Sequence, residues 1–183
     1  MSDSPQQRRF ETLVMPHLDA AYNLARWLVR SEADADDVLQ EASLKAYRFL
    51  EQCRAEDAKG WFLAITRNAA YSWLRNKRPQ ELVLSVGAEG ELAELAADPA
   101  TPESLILDGE INRRLEEAIG ALPVPFREVV VLREQEELSY KEIAALMGVP
   151  IGTVMSRLAR GRALLARGLG RALPSPEQGR LKA

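Results

Sequence analysis

Residues 139–162 read SYKEIAALMGVPIGTVMSRLARGR, and this stretch decides the architecture of the C-terminal part of the chain. Ser139 followed by Glu142 has the spacing of a capping box, in which side chain and backbone satisfy each other's donors and fix a helix start. Ile143, Ala144, Leu146 and Met147 supply the buried side of that short helix. Gly148 provides a tight turn, and Pro150 suits the first turn of the following helix. A short helix, a glycine-containing turn and a longer helix together make a helix-turn-helix.

The longer helix divides into two faces. Val154, Leu158 and Leu165, at spacings of four and seven, belong on the core side. Thr153, Ser156, Arg157 and Arg160 fall on another face, expected to project outward. Hydroxyls and guanidinium groups bond phosphates and base edges, and the second helix of such a motif can lie in the major groove. The simpler alternative is a solvated basic face, and the helix dipole alone favours Arg167 and Arg171 near the C-terminus. An ordinary solvated face mixes signs, however, and no acid occurs between Glu142 and Glu177 while five arginines do. The segment therefore reads as a DNA-binding one.

Working outward, apolar residues recur at helical spacing almost everywhere and strand-like alternation is absent. Phe10, Leu13, Val14, Leu18, Ala21, Ala25 and Leu28 trace a first helical segment that Pro16 should break or kink. Ser31 with Glu32, Asp34 and Asp36 suits the start of a second helix, continued by Val38, Leu39, Ala42, Ala46, Phe49 and Leu50. A third helix is expected from about Gly60 to Asn76, with Trp61, Phe62, Ile65, Ala69 and Trp73 on its apolar stripe and Pro79 ending it. From Pro79 to Asn112 there is no Lys or Arg but there are eight acids, with Gly87, Gly90, Pro99 and Pro102 between them, which is linker chemistry. Further helices are expected over 105–122, 126–135, 139–147 and 151–173. The fold expected is all-α: two small helical domains, residues 1–80 and 105–173, joined by an acidic flexible linker over 81–104, with a tail at 174–183.

Composition excludes several classes. The 183 residues carry 24 basic and 27 acidic side chains, a net charge of −3, and one cysteine and one histidine. Cys53 cannot form a disulfide within the chain, and with His17 it cannot build a zinc site. His17 reads as a surface or capping residue and Cys53 as a loop or helix-end residue. No nucleophile–histidine pair, phosphate-cradling glycine loop or metal cluster is present, so no catalytic residue, metal or cofactor is assigned. With neither a signal-like apolar run nor a membrane-length one, a cytoplasmic protein is expected.

The run LPVPFREVVVLREQEELSYKEIAALMGVPIGTVMSRLARGRALL, residues 122–165, resembles region 4 of bacterial sigma factors, the dissociable promoter-recognition subunits of RNA polymerase. DADDVLQEASLKAYRFL (34–50) resembles region 2.2, and GWFLAITRNAAYSWLRNKRP (60–79) resembles regions 2.3 and 2.4. With no region 1.1 or region 3, the chain is similar to the extracytoplasmic-function subfamily from about Arg8 to Leu173.

The resemblance implies roles that these residue types can carry. Asp36, Asp37, Gln40 and Glu41 would dock on the clamp helices of the largest polymerase subunit, although the acids near the helix start also suit its dipole. Arg67, Asn68, Tyr71, Ser72, Arg75 and Lys77, with the loop 51–59, would hold the non-template strand of the minus-ten element, one base being flipped into a pocket. Trp61 and Trp73 read as core. Thr153, Ser156, Arg157, Arg160 and Arg162 would contact the minus-thirty-five element. Some family members have arginine where this chain has Met155, which leaves the exact minus-thirty-five preference open. The helix 126–133 would meet the flap tip of the second-largest subunit, and an anti-sigma factor is an expected partner. The rival readings are a stand-alone helix-turn-helix regulator with an N-terminal ligand or dimerisation module, and an all-helical interaction protein.

Overall fold

Pro5 opens the first helix, capped by the Ser4 hydroxyl that accepts from the Gln7 amide at 3.1 Å. The computed structural model describes residues 4–83 and 109–172. Helix α1 (Pro5–Leu13) ends at a 3₁₀ turn, Met15–His17, where Pro16 interrupts the ladder as the sequence predicts. Helix α2 (Leu18–Val29) follows, then α3 (Glu32–Arg48), whose start is capped by Ser31 and carries Glu32 and Asp34 in its first turn. Two 3₁₀ turns, Leu50–Gln52 and Ala55–Asp57, lead into the 20-residue α4 (Ala58–Lys77). Residues 79–83 form one more helical turn, so the expected linker begins later than residue 81. Its remainder, like the expected start of the next helix at 105 and the tail, lies outside the described residues.

The second unit comprises α5 (Gly109–Ala121), α6 (Val124–Val130), α7 (Tyr140–Met147) and α8 (Ile151–Ala172). Helix α6 continues into a π-helical stretch, Val131–Gln135, a wide turn of the kind common at functional sites. The capping box is formed: Ser139 accepts from the Glu142 amide at 3.2 Å, and Glu142 accepts from the Ser139 amide at 2.7 Å. Gly148 takes φ of 67°, a left-handed conformation that costs glycine little and lets α8 leave at a steep angle to α7.

Helix α1 only rests Phe10 and Leu13 half-buried against the core, whereas the longer helices bury apolar stripes, the main source of their stability. Leu24, Leu28, Phe62, Leu63 and Leu74 anchor the first unit; Phe126, Val129, Ile143, Val154 and Leu158 anchor the second, all but shut off from solvent. Apart from Phe126, the two sets join into one continuous cluster, because α2 packs on α6 and α4 packs on α7. Cys53 closes the 3₁₀ turn Leu50–Gln52 as a helix-end residue, and it is buried there, which pushes its thiol up. His17 is half-buried and held below its usual range by burial, then by the Lys59 charge. Trp61 and Trp73 are half-buried against the core.

Candidate nucleic-acid interface

Helix α3 presents Asp36, Asp37, Gln40 and Glu41 to solvent, since Ala35, Val38 and Ala42 occupy its inner side. Glu41 pairs with Lys45 one turn on. The same exposed side continues into Leu44 and Tyr47, large apolar groups at 65% and 39% exposure. The surface thus joins a polar head to an apolar strip, whose Tyr47 ring meets Phe10 edge-on at 5.5 Å.

Helix α4 splits the six side chains assigned to it. Asn68, Arg75 and Lys77 are exposed, and Ser72 is half-buried. Arg75 donates to the Ser72 hydroxyl at 3.0 Å, keeping both on the open side. Arg67 and Tyr71 instead face the second unit. Arg67 pairs with Glu128 of α6, its Nη2 donating to Oε2 at 3.4 Å, and the Tyr71 hydroxyl donates to the same oxygen at 2.8 Å. The Arg67 guanidinium also lies 4.4 Å from the Tyr71 ring centre, a cation–π contact. Burial first, and the Glu128 charge second, push the Tyr71 hydroxyl well above its ordinary range.

The α8 face differs from the sequence expectation in one respect. Ser156 and Arg162 are exposed, but Thr153, Arg157 and Arg160 are half-buried and do not simply project into solvent. The Arg157 charge opposes, as the smallest influence, the rise of the Tyr71 hydroxyl. Arg162 binds Glu134 through Nε at 3.0 Å, a contact that raises its proton affinity. The core side is as expected, with Val154 and Leu158 buried and Leu165 packed against them.

Sequence reading missed the residues that join the units. Lys59 donates to the Glu136 carbonyl at 2.9 Å, and its ammonium lies 3.4 Å from the Glu136 carboxylate. Gln135 accepts from Asn23 and from the Trp27 indole, each at 2.8 Å. Arg127, 1% exposed, donates to the carbonyls of Gly120 at 2.8 Å, Leu122 at 3.2 Å and Leu28 at 3.1 Å, and approaches Glu81 at 3.6 Å. Every residue of 126–132 is buried, so the surface expected to meet the flap is covered in this arrangement. A signal was available: Arg127 and Glu128 interrupt the apolar run VPFREVVVL, and charges in such a run must find buried partners.

Among the described residues no group of acids, histidine and cysteine could hold a metal ion, and no single helix is long and apolar enough to cross a membrane.

Comparison with known proteins agrees with both halves of this layout. A family model for Sigma-70 region 2 matches residues 13–80, and one for Sigma-70, region 4 matches residues 112–165. The ECF RNA polymerase sigma-E factor of Escherichia coli is 37% identical over 161 residues, which cover 85% of this chain and 84% of the relative. That of Haemophilus influenzae is 37% identical over 147 residues, covering 78% and 77%. The ECF RNA polymerase sigma factor SigE of Mycolicibacterium smegmatis is 32% identical over 160 residues, covering 87% of this chain but only 61% of the relative. Among solved structures, the sigma factor RpoE bound to the anti-sigma factor NepR from Bartonella quintana aligns with a TM-score of 0.66 at 28% identity, over 88% of this chain and 96% of that one. CnrH in complex with the cytosolic domain of CnrY aligns at 0.64 and 27%, over 91% of each.

Proposed function

Since the chain belongs to the extracytoplasmic-function sigma factors of bacterial RNA polymerase, we propose that it binds core polymerase and directs it to a two-part promoter in the cytoplasm. The observation that carries this reading is the pairing, in one chain, of an exposed polar-and-apolar docking face on α3 with a helix-turn-helix whose second helix is purely basic. Asp36, Asp37, Gln40 and Glu41 contact the clamp helices of the largest subunit, and α6 meets the flap of the second-largest. Arg67, Asn68, Tyr71, Ser72, Arg75 and Lys77 hold the melted minus-ten strand through cations, amide edges and a stacking ring. Thr153, Ser156, Arg157, Arg160 and Arg162 grip the duplex minus-thirty-five element. The chain does no covalent chemistry; binding energy stabilises the opened strand and the polymerase forms the bonds.

An anti-sigma factor holds the protein in check until a signal arrives. Support comes from the two structural neighbours, both solved with partner proteins, the first named as an anti-sigma factor. The net charge of −3 fits a protein that needs polymerase for DNA binding, because non-specific affinity comes from neutralised phosphates.

The test is a gel shift on promoter duplex with and without core enzyme, followed by run-off transcription. Binding and transcripts that depend on core enzyme are expected. Tight sequence-specific binding by the chain alone overturns the reading in favour of an autonomous regulator. Arg160→Ala should weaken holoenzyme binding by about 1–3 kcal/mol and relax the minus-thirty-five preference.

A further inference from the structure

None of the nine residues of α1 is buried, so this helix adds little to the core. Its polar side chains reach instead to the end of α3 and the segment that follows. Arg9 donates through Nη2 to the Cys53 carbonyl at 2.9 Å, and Gln6 donates through Nε2 to the Tyr47 carbonyl at 3.0 Å. The Phe10 ring seats the same helix edge-on against the Tyr47 ring. The two hydrogen bonds span 44 and 41 positions of sequence, so they are tertiary contacts that no helix period requires.

The segment gripped by Arg9 is a joint. Two 3₁₀ turns, Leu50–Gln52 and Ala55–Asp57, flank two extended residues: Cys53 with φ −77° and ψ 125°, and Arg54 with φ −96° and ψ 141°. Each turn closes on itself, through the Cys53 amide to the Leu50 carbonyl and through the Asp57 amide to the Arg54 carbonyl, both at 3.1 Å. Neither bond crosses the joint, so the angle between the turns depends on what holds Cys53. Its side chain, 2% exposed, anchors it from inside, and Arg9 anchors its carbonyl from outside. A hydrogen bond from a charged donor is stronger than one between neutral groups, which suits a single fastening point. The other residues of 51–57 are all exposed and open to a ligand strand.

We propose that Arg9 is a positioning residue for minus-ten recognition: by pinning the Cys53 carbonyl it fixes the angle between the two turns, and so the shape of the pocket that takes the flipped base. The proposal rests on the reading of loop 51–59 as part of the minus-ten site. Arg9 contacts no base; it acts through Cys53. Helix α1 is the strut that carries it, started by the Ser4 cap and Pro5 and seated by Gln6 and Phe10.

The chain's one cysteine reports on the joint without any DNA. An aromatic disulfide reagent, dithiobis(nitrobenzoate), should label Cys53 at least about fivefold faster in Arg9→Ala, the effect of losing one hydrogen bond. The Arg9 charge favours the thiolate, so its removal alone would slow labelling, and a faster rate reports an opened joint. Phe10→Ala, which unseats the strut but keeps the charge, should speed labelling too. Both variants should fold, since α1 buries none of its residues.

The second measurement is fluorescence anisotropy of holoenzyme with a non-template minus-ten oligonucleotide and its single-base changes. Arg9→Ala holoenzyme should lose about fivefold of the wild-type discrimination at one position and keep the ratios at the others. Unchanged labelling in both variants overturns the inference, as does faster labelling with every base ratio intact. A loss equal at all positions, with a shallower salt dependence, also overturns it and makes Arg9 a phosphate contact. Failure of wild-type holoenzyme to distinguish any base removes the minus-ten reading itself, and this inference with it.

Discussion

Arg67 on α4 and Glu128 on α6 form an ion pair across 61 positions of sequence, and Tyr71 donates to the same carboxylate from the next turn. The pair is 17% exposed on the arginine side and closed on the glutamate side, so its electrostatics act through a low-dielectric path and resist screening by salt.

Because Tyr71 is buried against that carboxylate, its hydroxyl ionises less readily in the folded chain than in the unfolded one. A raised folded-state value gives stability that is present below the ordinary tyrosine value of 10.0 and lost as pH rises beyond it. Urea unfolding at pH 9 and pH 11 should show wild type losing about 1 kcal/mol more than Tyr71→Phe over that interval. An equal loss in both proteins would place the hydroxyl in water.

Arg127 serves three carbonyls from inside the core, and its Nε finds no partner. Burial, more than any neighbouring charge, lowers its proton affinity to a value of about 10, still leaving it charged at neutral pH. Arg127→Ala strands those carbonyls and should cost about 3 kcal/mol in urea unfolding. Arg127→Lys should recover little, because one ammonium cannot replace a planar fork that spans three acceptors. Full recovery by lysine would refute the fork argument.

Two glycines of α8 should respond with opposite signs. A Cβ on Gly161 would meet Val130 Cγ2 at 2.8 Å and the Phe126 carbonyl at 3.4 Å, whereas one on Gly152 would meet nothing within 4 Å. Val130 is stiff about χ1 and cannot turn aside cheaply. Gly161→Ala should therefore destabilise by about 1–3 kcal/mol, and Gly152→Ala should stabilise by about 0.5–1 kcal/mol through helix propensity. Thermal melts of the two variants decide this.

The capping box at the head of the helix-turn-helix sets a pH response of its own. Hydrogen bonds from Ser139 hold the Glu142 carboxyl below its ordinary 4.5. That contribution is present above this value and fades as pH falls through the lower folded-state one. Ser139→Ala should cost about 1 kcal/mol near neutrality and less at pH 3, with circular dichroism as the readout. A cost that does not change with pH would mean that the carboxylate takes no part.

Local chemistry made much of this protein legible. Pro16, Ser31, Ser139 and Gly148 each act within a few residues of themselves, and each starts, breaks or turns a helix where the sequence predicts. The α3 surface was readable for the same reason, since the sides of one helix follow from its period. Charge placed a linker from residue 81, yet residues 79–83 are helical, because a proline can open a helix as readily as end one.

The sequence by itself determined the helical class, the helix-turn-helix and the family to which the chain belongs, because these rest on spacing within short windows. Only the tertiary structure decided what Arg67, Tyr71 and the helix 126–132 face. A buried charge states in the sequence that it needs a partner, but not which one. Glu128 met Arg67 through packing of α6 on α2 and of α7 on α4, and no local period records that choice.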